Sequence, residues 1–113
     1  MKEVKFFRKN DLKAKQVLKS SQLRAVANDN VMITLFDFGP DDQVMPNHHH
    51  PHEQITFILK GSVKMVAGGK SQVLEAGQGA VIPPNVEHEV TALEKDSQVL
   101  DVFYPLREDY LSG

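Results

Sequence analysis

Cysteine is absent from this chain of 113 residues. Its absence excludes disulfide bonds, thiolate nucleophiles and thiolate metal ligands, and it fits a reducing compartment. No apolar run approaches the ~20 residues that a membrane-spanning helix needs. Residues 1–16 carry charge but lack the apolar stretch of a secretory signal. We therefore expect a cytoplasmic protein with no membrane as partner.

The sequence also lacks a strong excess of charge of either sign. Its formal net charge is -2, which gives no reason to expect nucleic acid as a partner. Basic residues crowd the first 24 positions, but they are spread among apolar residues, so a solvated face is the simpler interpretation. With 41% hydrophobic and 25% charged residues, the chain has the composition of one globular domain over residues 1–113.

Repeats, linkers and long segments with a helical period are absent as well. Turn-forming residues recur at short intervals instead, and about eight short runs rich in β-branched and aromatic residues lie between them. This pattern is typical of an antiparallel all-β sandwich or barrel. The runs are LRAVA, VMITLFDF, QITFILK, SVKMVA, SQVLE, AVI, EHEVTAL and SQVLDVFY. Residues 12–23 could hold one turn of helix.

Four of the five histidines lie in the segment PNHHHPHEQ, residues 46–54. If residues 48–60 enter a strand, alternate side chains share one face. His48 and His50, two residues apart, then converge naturally. The next donor on the same face is the amide of Gln54. This spacing predicts two imidazoles and an amide oxygen aimed at one point.

The neighbouring side chains are weaker candidates as ligands. Glu53 is chemically the better metal ligand, but it has the wrong parity unless the segment bulges, and we therefore select Gln54. His49 also has the wrong parity. His52 sits at the bend beside Pro51.

The fifth histidine, His88, follows a glycine-rich turn and a short apolar run much further along the chain. A distant segment thus returns a third imidazole to the predicted site. Three imidazoles suit zinc, nickel, iron or copper rather than calcium or magnesium, which prefer oxygen ligands. The alternative is a solvated histidine-rich loop with His88 on a surface strand. The convergence of spaced donors favours the metal site.

These residues resemble the two sequence motifs of the cupin superfamily. The first motif, G-x5-HxH-x3,4-E-x6-G, is matched at its histidine pair and at the terminal Gly61. The second, G-x5-P-x-G-x2-H-x3-N, is matched at Gly77, Pro83 and His88. The resemblance covers about residues 31–104. Because the superfamily hosts many functions, the motifs imply a fold more than a reaction.

The resemblance implies an all-β fold, the double-stranded β-helix or jelly-roll barrel, with its core at about residues 22–104 and a short N-terminal extension. Two positions depart from the motifs. Asn85 replaces a glycine, and asparagine tolerates the positive φ that the turn requires. Gln54 replaces the usual acidic ligand and leaves the full charge on a divalent metal. A stronger Lewis acid follows, and the higher oxidation states of a dioxygenase are disfavoured.

The segment LDVFYPLREDYL carries a second set of candidates. Asp101 and Phe103 share one face of the last predicted strand, and Arg107 follows the proline that ends it. Taken alone, Asp101 could face solvent while Arg107 pairs with Asp109 or Glu108 on the surface. On a cupin with His, His, Gln and His as donors, however, this order resembles the pectin-degradation (KdgF) group, which opens 4,5-unsaturated uronates.

That resemblance implies a role for each residue. Asp101 would transfer a proton, Phe103 would pack on the sugar ring, and Arg107 would bind the sugar carboxylate with its planar, permanently charged fork. One divalent transition metal (Ni, Zn, Fe or Mn) would be held by His48, His50, Gln54 and His88. The implied protein is a homodimeric, metal-dependent isomerase of unsaturated uronate monosaccharides. A non-catalytic sugar-binding cupin and another cupin metalloenzyme, such as a dioxygenase, are the alternatives.

Overall fold

The computed structural model describes residues 3–111, and within them the chain forms ten strands and two short helical turns. The strands are β1 Lys15–Val17, β2 Ser21–Ala27, β3 Met32–Asp37, β4 Val44–His48, β5 Glu53–Lys60, β6 Ser62–Ala67, β7 Lys70–Glu75, β8 Gly79–Ile82, β9 His88–Ala92 and β10 Gln98–Tyr104. A 3-10 turn at Lys9–Asp11 precedes the strands, and the helical turn α1, Glu108–Leu111, follows them. Over the same residues, no helix is long and apolar enough to cross a membrane.

The strands form two antiparallel sheets. The six-stranded sheet has the order β1-β2-β3-β10-β5-β8, and the four-stranded sheet has the order β4-β9-β6-β7. Successive strands β4 and β5 therefore belong to different sheets, and so do β9 and β10. This crossing between facing sheets is the double-stranded β-helix. The predicted all-β jelly-roll barrel is confirmed.

The core lies between the two sheets, where alternate side chains of each strand point inward. In β5 the buried positions are Gln54, Thr56 and Ile58, while the residues between them are exposed. Burial of the apolar positions contributes about 25 cal/mol per Å² removed from water. The central cluster comprises Leu23, Phe36, Phe38, Ile58, Val63, Met65, Leu74, Ile82, Val90, Ala92 and Val99.

Residues 48–60 do not form one continuous strand, which corrects the expectation from the sequence. β4 ends at His48 and β5 begins at Glu53, and the chain crosses between the sheets over the intervening residues. Pro51 lies in this crossing, where its missing N–H costs no ladder hydrogen bond. The pairing of β4 with β9 also shifts register between Met45 and His48. A bulge therefore lies before the histidines rather than after them.

The expectation of one helical turn within residues 12–23 is wrong. That segment contains β1, a turn and the beginning of β2, and β1 pairs with β2 from Lys15 opposite Leu23 to Val17 opposite Ser21. A single helical turn is costly to nucleate, and pairing with the sheet satisfies the same backbone groups.

Candidate metal centre

Three histidine side chains come together between the two sheets. His48 ends β4 and lies opposite His88, the first residue of β9, while His50 lies in the crossing to β5. One ring nitrogen from each histidine falls within 4.8 Å of the other two. His88 is only 1% exposed, and His50 is buried as well. The structure thus joins the spaced pair and the remote histidine in a group that could hold a metal ion.

Backbone carbonyls fix the orientation of two of these imidazoles. His48 Nδ1 lies 2.8 Å from the Pro46 carbonyl oxygen, and His88 Nδ1 lies 2.9 Å from that of Val86. Because a carbonyl only accepts, Nδ1 donates in both cases and Nε2 keeps its lone pair, as in many metal-binding histidines. His88 Nε2 is buried without a partner among the described residues. Such an atom is costly unless something binds it, so the donor set fits a metal ion.

Gln54 extends the histidine group from β5. Its Oε1 lies 2.9 Å from His50 Nε2, so the amide oxygen is a further donor beside the three imidazoles. Its Nε2 donates to Thr56 Oγ1 at 3.0 Å and to Asp101 Oδ1 at 3.1 Å. These two bonds turn the amide so that its oxygen faces the histidines. Glu53, the alternative, is exposed on the opposite face.

The turn between β8 and β9 anchors the crossing that carries His50. Asn85 has φ +64°, so the left-handed conformation expected at this motif position is confirmed. The backbone N–H of Asn85 donates to the His50 carbonyl at 2.7 Å. Asn85, which departs from the second cupin motif pattern, therefore helps to position His50 of the histidine-rich segment.

Burial governs the protonation of the imidazoles. Burial, followed by the positive charge of Arg107, lowers the pKa of His50 to about 4. Burial likewise lowers the pKa of His88. Both rings are therefore neutral at pH 7, the state in which imidazole can coordinate a metal.

Asp101 projects from β10 beside Gln54 and Thr56. Thr56 Oγ1 donates to Asp101 Oδ1 at 2.6 Å. Burial raises the pKa of this carboxyl, although the hydrogen bonds from Thr56 and Gln54 oppose the shift. A carboxyl with a raised pKa at the edge of a metal-binding group can both hold and release a proton.

Arg107 lies just beyond β10, with its guanidinium between two aromatic rings. Its Cζ is 3.9 Å from the ring centroid of Tyr110 and 5.3 Å from that of Phe103. Arg107 Nη2 is 2.8 Å from Asp109 Oδ2, so the pair with Asp109 that the sequence left open does form. Nη1, however, is buried without a partner among the described residues. The guanidinium thus keeps donor capacity at the cavity.

Tyr110 is an aromatic lining residue that sequence reasoning missed. Its N–H donates to the Arg107 carbonyl at 3.0 Å, so one helical turn places both side chains at the cavity. The spacing of three residues between Arg107 and Tyr110 was the available signal.

The other two histidines lie outside the histidine group. His52 Nε2 donates to the Leu106 carbonyl at 3.1 Å and so holds the segment that precedes Arg107. His49 is exposed.

The side chains enclose a small cavity of about 30 Å³. Its lining comprises Met45, His48, Gln54, Thr56, His88, Val90, Val99, Asp101, Phe103, Arg107 and Tyr110. This volume holds a water molecule or an ion but is far below that of a monosaccharide.

Comparison with known proteins identifies the class. Residues 34–103 match the family model of the cupin domain, and the chain belongs to the cupin domain family. It is 31% identical to the pectin degradation protein KdgF of Dickeya dadantii (strain 3937) over 84 residues, which make up 74% of this chain and 76% of that protein. The predicted resemblance to cupins and to the KdgF group is confirmed.

Two further relatives extend the comparison. The structure of KdgF from Halomonas sp. superposes with a TM-score of 0.86 at 30% identity, covering 95% of this chain and 98% of that one. The H2HPP isomerase of Bacillus subtilis is 27% identical over 99 residues, which are 87% of this chain and 42% of that protein. This chain thus spans less than half of the latter relative.

Proposed function

We propose that this protein is a metal-dependent cupin that opens 4,5-unsaturated uronate monosaccharides and isomerises them to linear ketonised uronates in the catabolism of pectin and other polyuronates. One observation carries the proposal: the Asp101 carboxyl and the Arg107 guanidinium line the same cavity as His48 and His88, two members of the histidine group. The similarity to pectin degradation proteins supports the choice of substrate.

The ligand set would consist of neutral side chains only, namely His48, His50, Gln54 and His88. A divalent transition metal (Ni, Zn, Fe or Mn) held there would supply Lewis-acid polarisation of a substrate oxygen. The amide of Gln54 does not offset the charge of such an ion as a carboxylate would. Neutral ligands therefore favour polarisation over the high oxidation states of oxygen activation.

Asp101 would carry the proton that the reaction moves. Ring opening breaks the bond between the anomeric carbon C1 and the ring oxygen, and the anomeric hydroxyl loses its proton as the aldehyde forms. The ring oxygen is left as an enolate at C5, and the ketone forms when C4 gains a proton. Asp101 would take the proton of the anomeric hydroxyl and deliver it to C4. Because the sugar keeps its composition, a single carboxyl is enough for both transfers. The raised pKa of Asp101 suits a group that must accept a proton and give it back.

Arg107 would bind the sugar carboxylate. The unpartnered Nη1 is a free donor, and Nη2 now faces the Asp109 carboxylate at 2.8 Å. A substrate carboxylate would bind Nη1 and compete with Asp109 for Nη2. Phe103 and Tyr110, which flank the guanidinium, would restrict its orientation.

The direct test is an assay with a 4,5-unsaturated galacturonate or a related uronate. The metal-loaded protein should remove the absorbance of the conjugated double bond faster than the spontaneous reaction in buffer. A rate equal to buffer on several such uronates would contradict the isomerase. Saturable binding of the same sugars without turnover would then support a non-catalytic sugar-binding cupin, and oxygen uptake by the iron-loaded protein would support a dioxygenase.

A further inference from the structure

A row of polar side chains crosses the inner face of the six-stranded sheet. Strand register aligns the inward residues of β3, β10 and β5 in three rows. In order along β5, the rows are Met32–Phe103–Gln54, Thr34–Asp101–Thr56 and Phe36–Val99–Ile58. Of these three, only the middle row is polar throughout. Polar groups inside a protein are costly unless they find partners, so the partners of the middle row decide what it does.

Two threonines flank Asp101 from neighbouring strands, but they bond differently. Thr34 and Thr56 are each 1% exposed. Thr56 Oγ1 donates to Asp101 Oδ1 at 2.6 Å. Thr34 Oγ1, by contrast, is buried without a partner among the described residues. The carboxyl is therefore held from the β5 side.

The direction of the Thr56 hydroxyl follows from its second partner. Gln54 Nε2 lies 3.0 Å from Thr56 Oγ1, and an amide nitrogen can only donate. The threonine oxygen thus accepts from the amide, and its single hydrogen is given to Asp101. A distance of 2.6 Å is typical of a hydroxyl that donates to a carboxylate.

The two oxygens of Asp101 have different surroundings. Oδ1 accepts from Thr56 at 2.6 Å and from Gln54 Nε2 at 3.1 Å. Oδ2 receives no hydrogen bond within residues 3–111 that the structure describes, although Asp101 lines the cavity beside His48, His88 and Arg107. A rotation of the carboxyl would break both bonds to Oδ1. Oδ1 is therefore the anchored oxygen, and Oδ2 is left for a ligand in the cavity.

We propose that Thr56 is a positioning residue for Asp101, whose hydroxyl anchors Oδ1 so that Oδ2 exchanges the proton with the substrate. The inference rests on the proposed function. Oδ2 would gain the proton of the anomeric hydroxyl as that O–H bond breaks, and would lose it as the C4–H bond forms. Oδ1 is a carboxylate oxygen before the first transfer and a carbonyl oxygen after it, and both forms accept hydrogen bonds. The anchor can thus stay in place through both transfers.

Two substitutions of Thr56 separate its hydroxyl from its shape. Thr56→Val keeps the branched shape without the hydroxyl, and Thr56→Ser keeps the hydroxyl without the methyl group. In the uronate assay with metal-loaded protein, Thr56→Val should lower kcat about tenfold, on the scale of one charge-assisted hydrogen bond. KM should change less than about twofold, because the carboxyl is misplaced for proton transfer and not for binding. Thr56→Ser should restore kcat to within about threefold of the wild type.

Thr34→Val is the matched control, since Thr34 is equally buried on the other side of Asp101. It should leave kcat unchanged and should melt no lower than the wild type, because it removes an unpaired buried hydroxyl. Thermal melting and elemental analysis of every variant separate a loss of positioning from unfolding or loss of metal.

Two further measurements ask whether Thr56 acts through Asp101. Added to Asp101→Asn, Thr56→Val should lower kcat less than about twofold, since the residue that it positions no longer transfers a proton. Crystal structures of the wild type and of Thr56→Val should show the Asp101 carboxyl turned in the variant. This second measurement does not depend on activity.

Several outcomes would overturn the role of Thr56. They are a Thr56→Val variant with wild-type kcat, an equal loss of kcat in Thr34→Val, a full further loss in the Asp101→Asn background, and an unturned carboxyl in the crystal. With an active wild type, each of them leaves the proposed reaction standing. A wild type no faster than buffer would instead contradict the reaction, and the catalytic role of Thr56 would fall with it.

Discussion

Gln54 links the histidine group to Asp101 through one amide. Its oxygen lies 2.9 Å from His50 Nε2, and its nitrogen lies 3.1 Å from Asp101 Oδ1. A glutamate at position 54 would keep an oxygen towards His50 but would lose the N–H donor to Asp101. Its carboxylate would also face the Asp101 carboxylate at close range. Two carboxylates so near each other cannot both be ionised easily. The amide therefore suits this site electrostatically as well as sterically.

Metal content should show whether Gln54 or its neighbour Glu53 is a metal ligand. Wild-type protein should carry close to one divalent transition metal per chain, and Gln54→Ala should carry less because an oxygen donor is lost. Glu53→Gln, on the exposed face, is the control and should retain the wild-type content. Elemental analysis by mass spectrometry measures both. The reverse result would mean that the register of β5 differs from the one described.

Turnover should depend on Asp101. Asp101→Asn keeps the shape and the bond from Thr56 but cannot transfer a proton, so we expect kcat to fall about 100-fold or more while substrate still binds. Asp96→Asn, the same change at an exposed turn, should leave kcat unchanged. If Asp101→Asn retains metal and full activity, the role given to Asp101 is wrong while the metal site stands.

Among the elements, β10 and α1 bring the remote groups of the site to the histidines. β10 lies inside the six-stranded sheet between β3 and β5, so Asp101 and Phe103 have a rigid support. α1 has only four residues, too few for a helix that is stable by itself. It is held instead by the stacking of Arg107 on Tyr110 and by neighbouring contacts.

Arg107→Lys should weaken substrate binding by about 1–3 kcal/mol, because lysine keeps the charge but loses the planar fork. Calorimetric titration of the uronate into an Asp101→Asn background measures binding without turnover. Arg24→Lys, a part of the outer-face pair with Asp37, is the matched control and should leave affinity unchanged. Equal affinity in Arg107→Lys would show that the carboxylate binds elsewhere.

The folding stability of the metal-free molecule depends on pH through its buried imidazoles. The pKa of His50 falls from 6.5 to about 4 on folding, so between these values the unfolded chain binds more protons. Stability of the metal-free protein is then complete above pH 6.5 and declines as pH falls towards 4, by up to about 3 kcal/mol. The lowered pKa of His88 acts in the same direction.

Urea unfolding of the metal-free protein between pH 4 and 7.5, at one protein concentration, measures this dependence. His50→Gln should flatten the decline, since glutamine takes up no proton in either state. His49→Gln, at an exposed position, should retain the wild-type profile. A His50→Gln profile as steep as that of the wild type would contradict the assigned cause.

Local rules of the chain were enough to predict the class of fold and to select much of the candidate ligand set. Alternation with period two and frequent turn residues predicted a β-barrel, because both depend on a few neighbouring residues. The same alternation selected Gln54 over Glu53 as the inward side chain of β5. The positive φ of Asn85 likewise follows from residue type and motif position.

Tertiary structure decided what depends on distant partners. His48 and Gln54 lie in different sheets, and the bulge before His48 arises from pairing with β9 some forty residues away. Residues 12–23 became β1 and β2 because pairing within the sheet outweighed a local helical turn. Tyr110 reached the cavity through its contact with Arg107. Short-range propensity cannot encode such contacts, because each forms only when segments far apart in sequence meet.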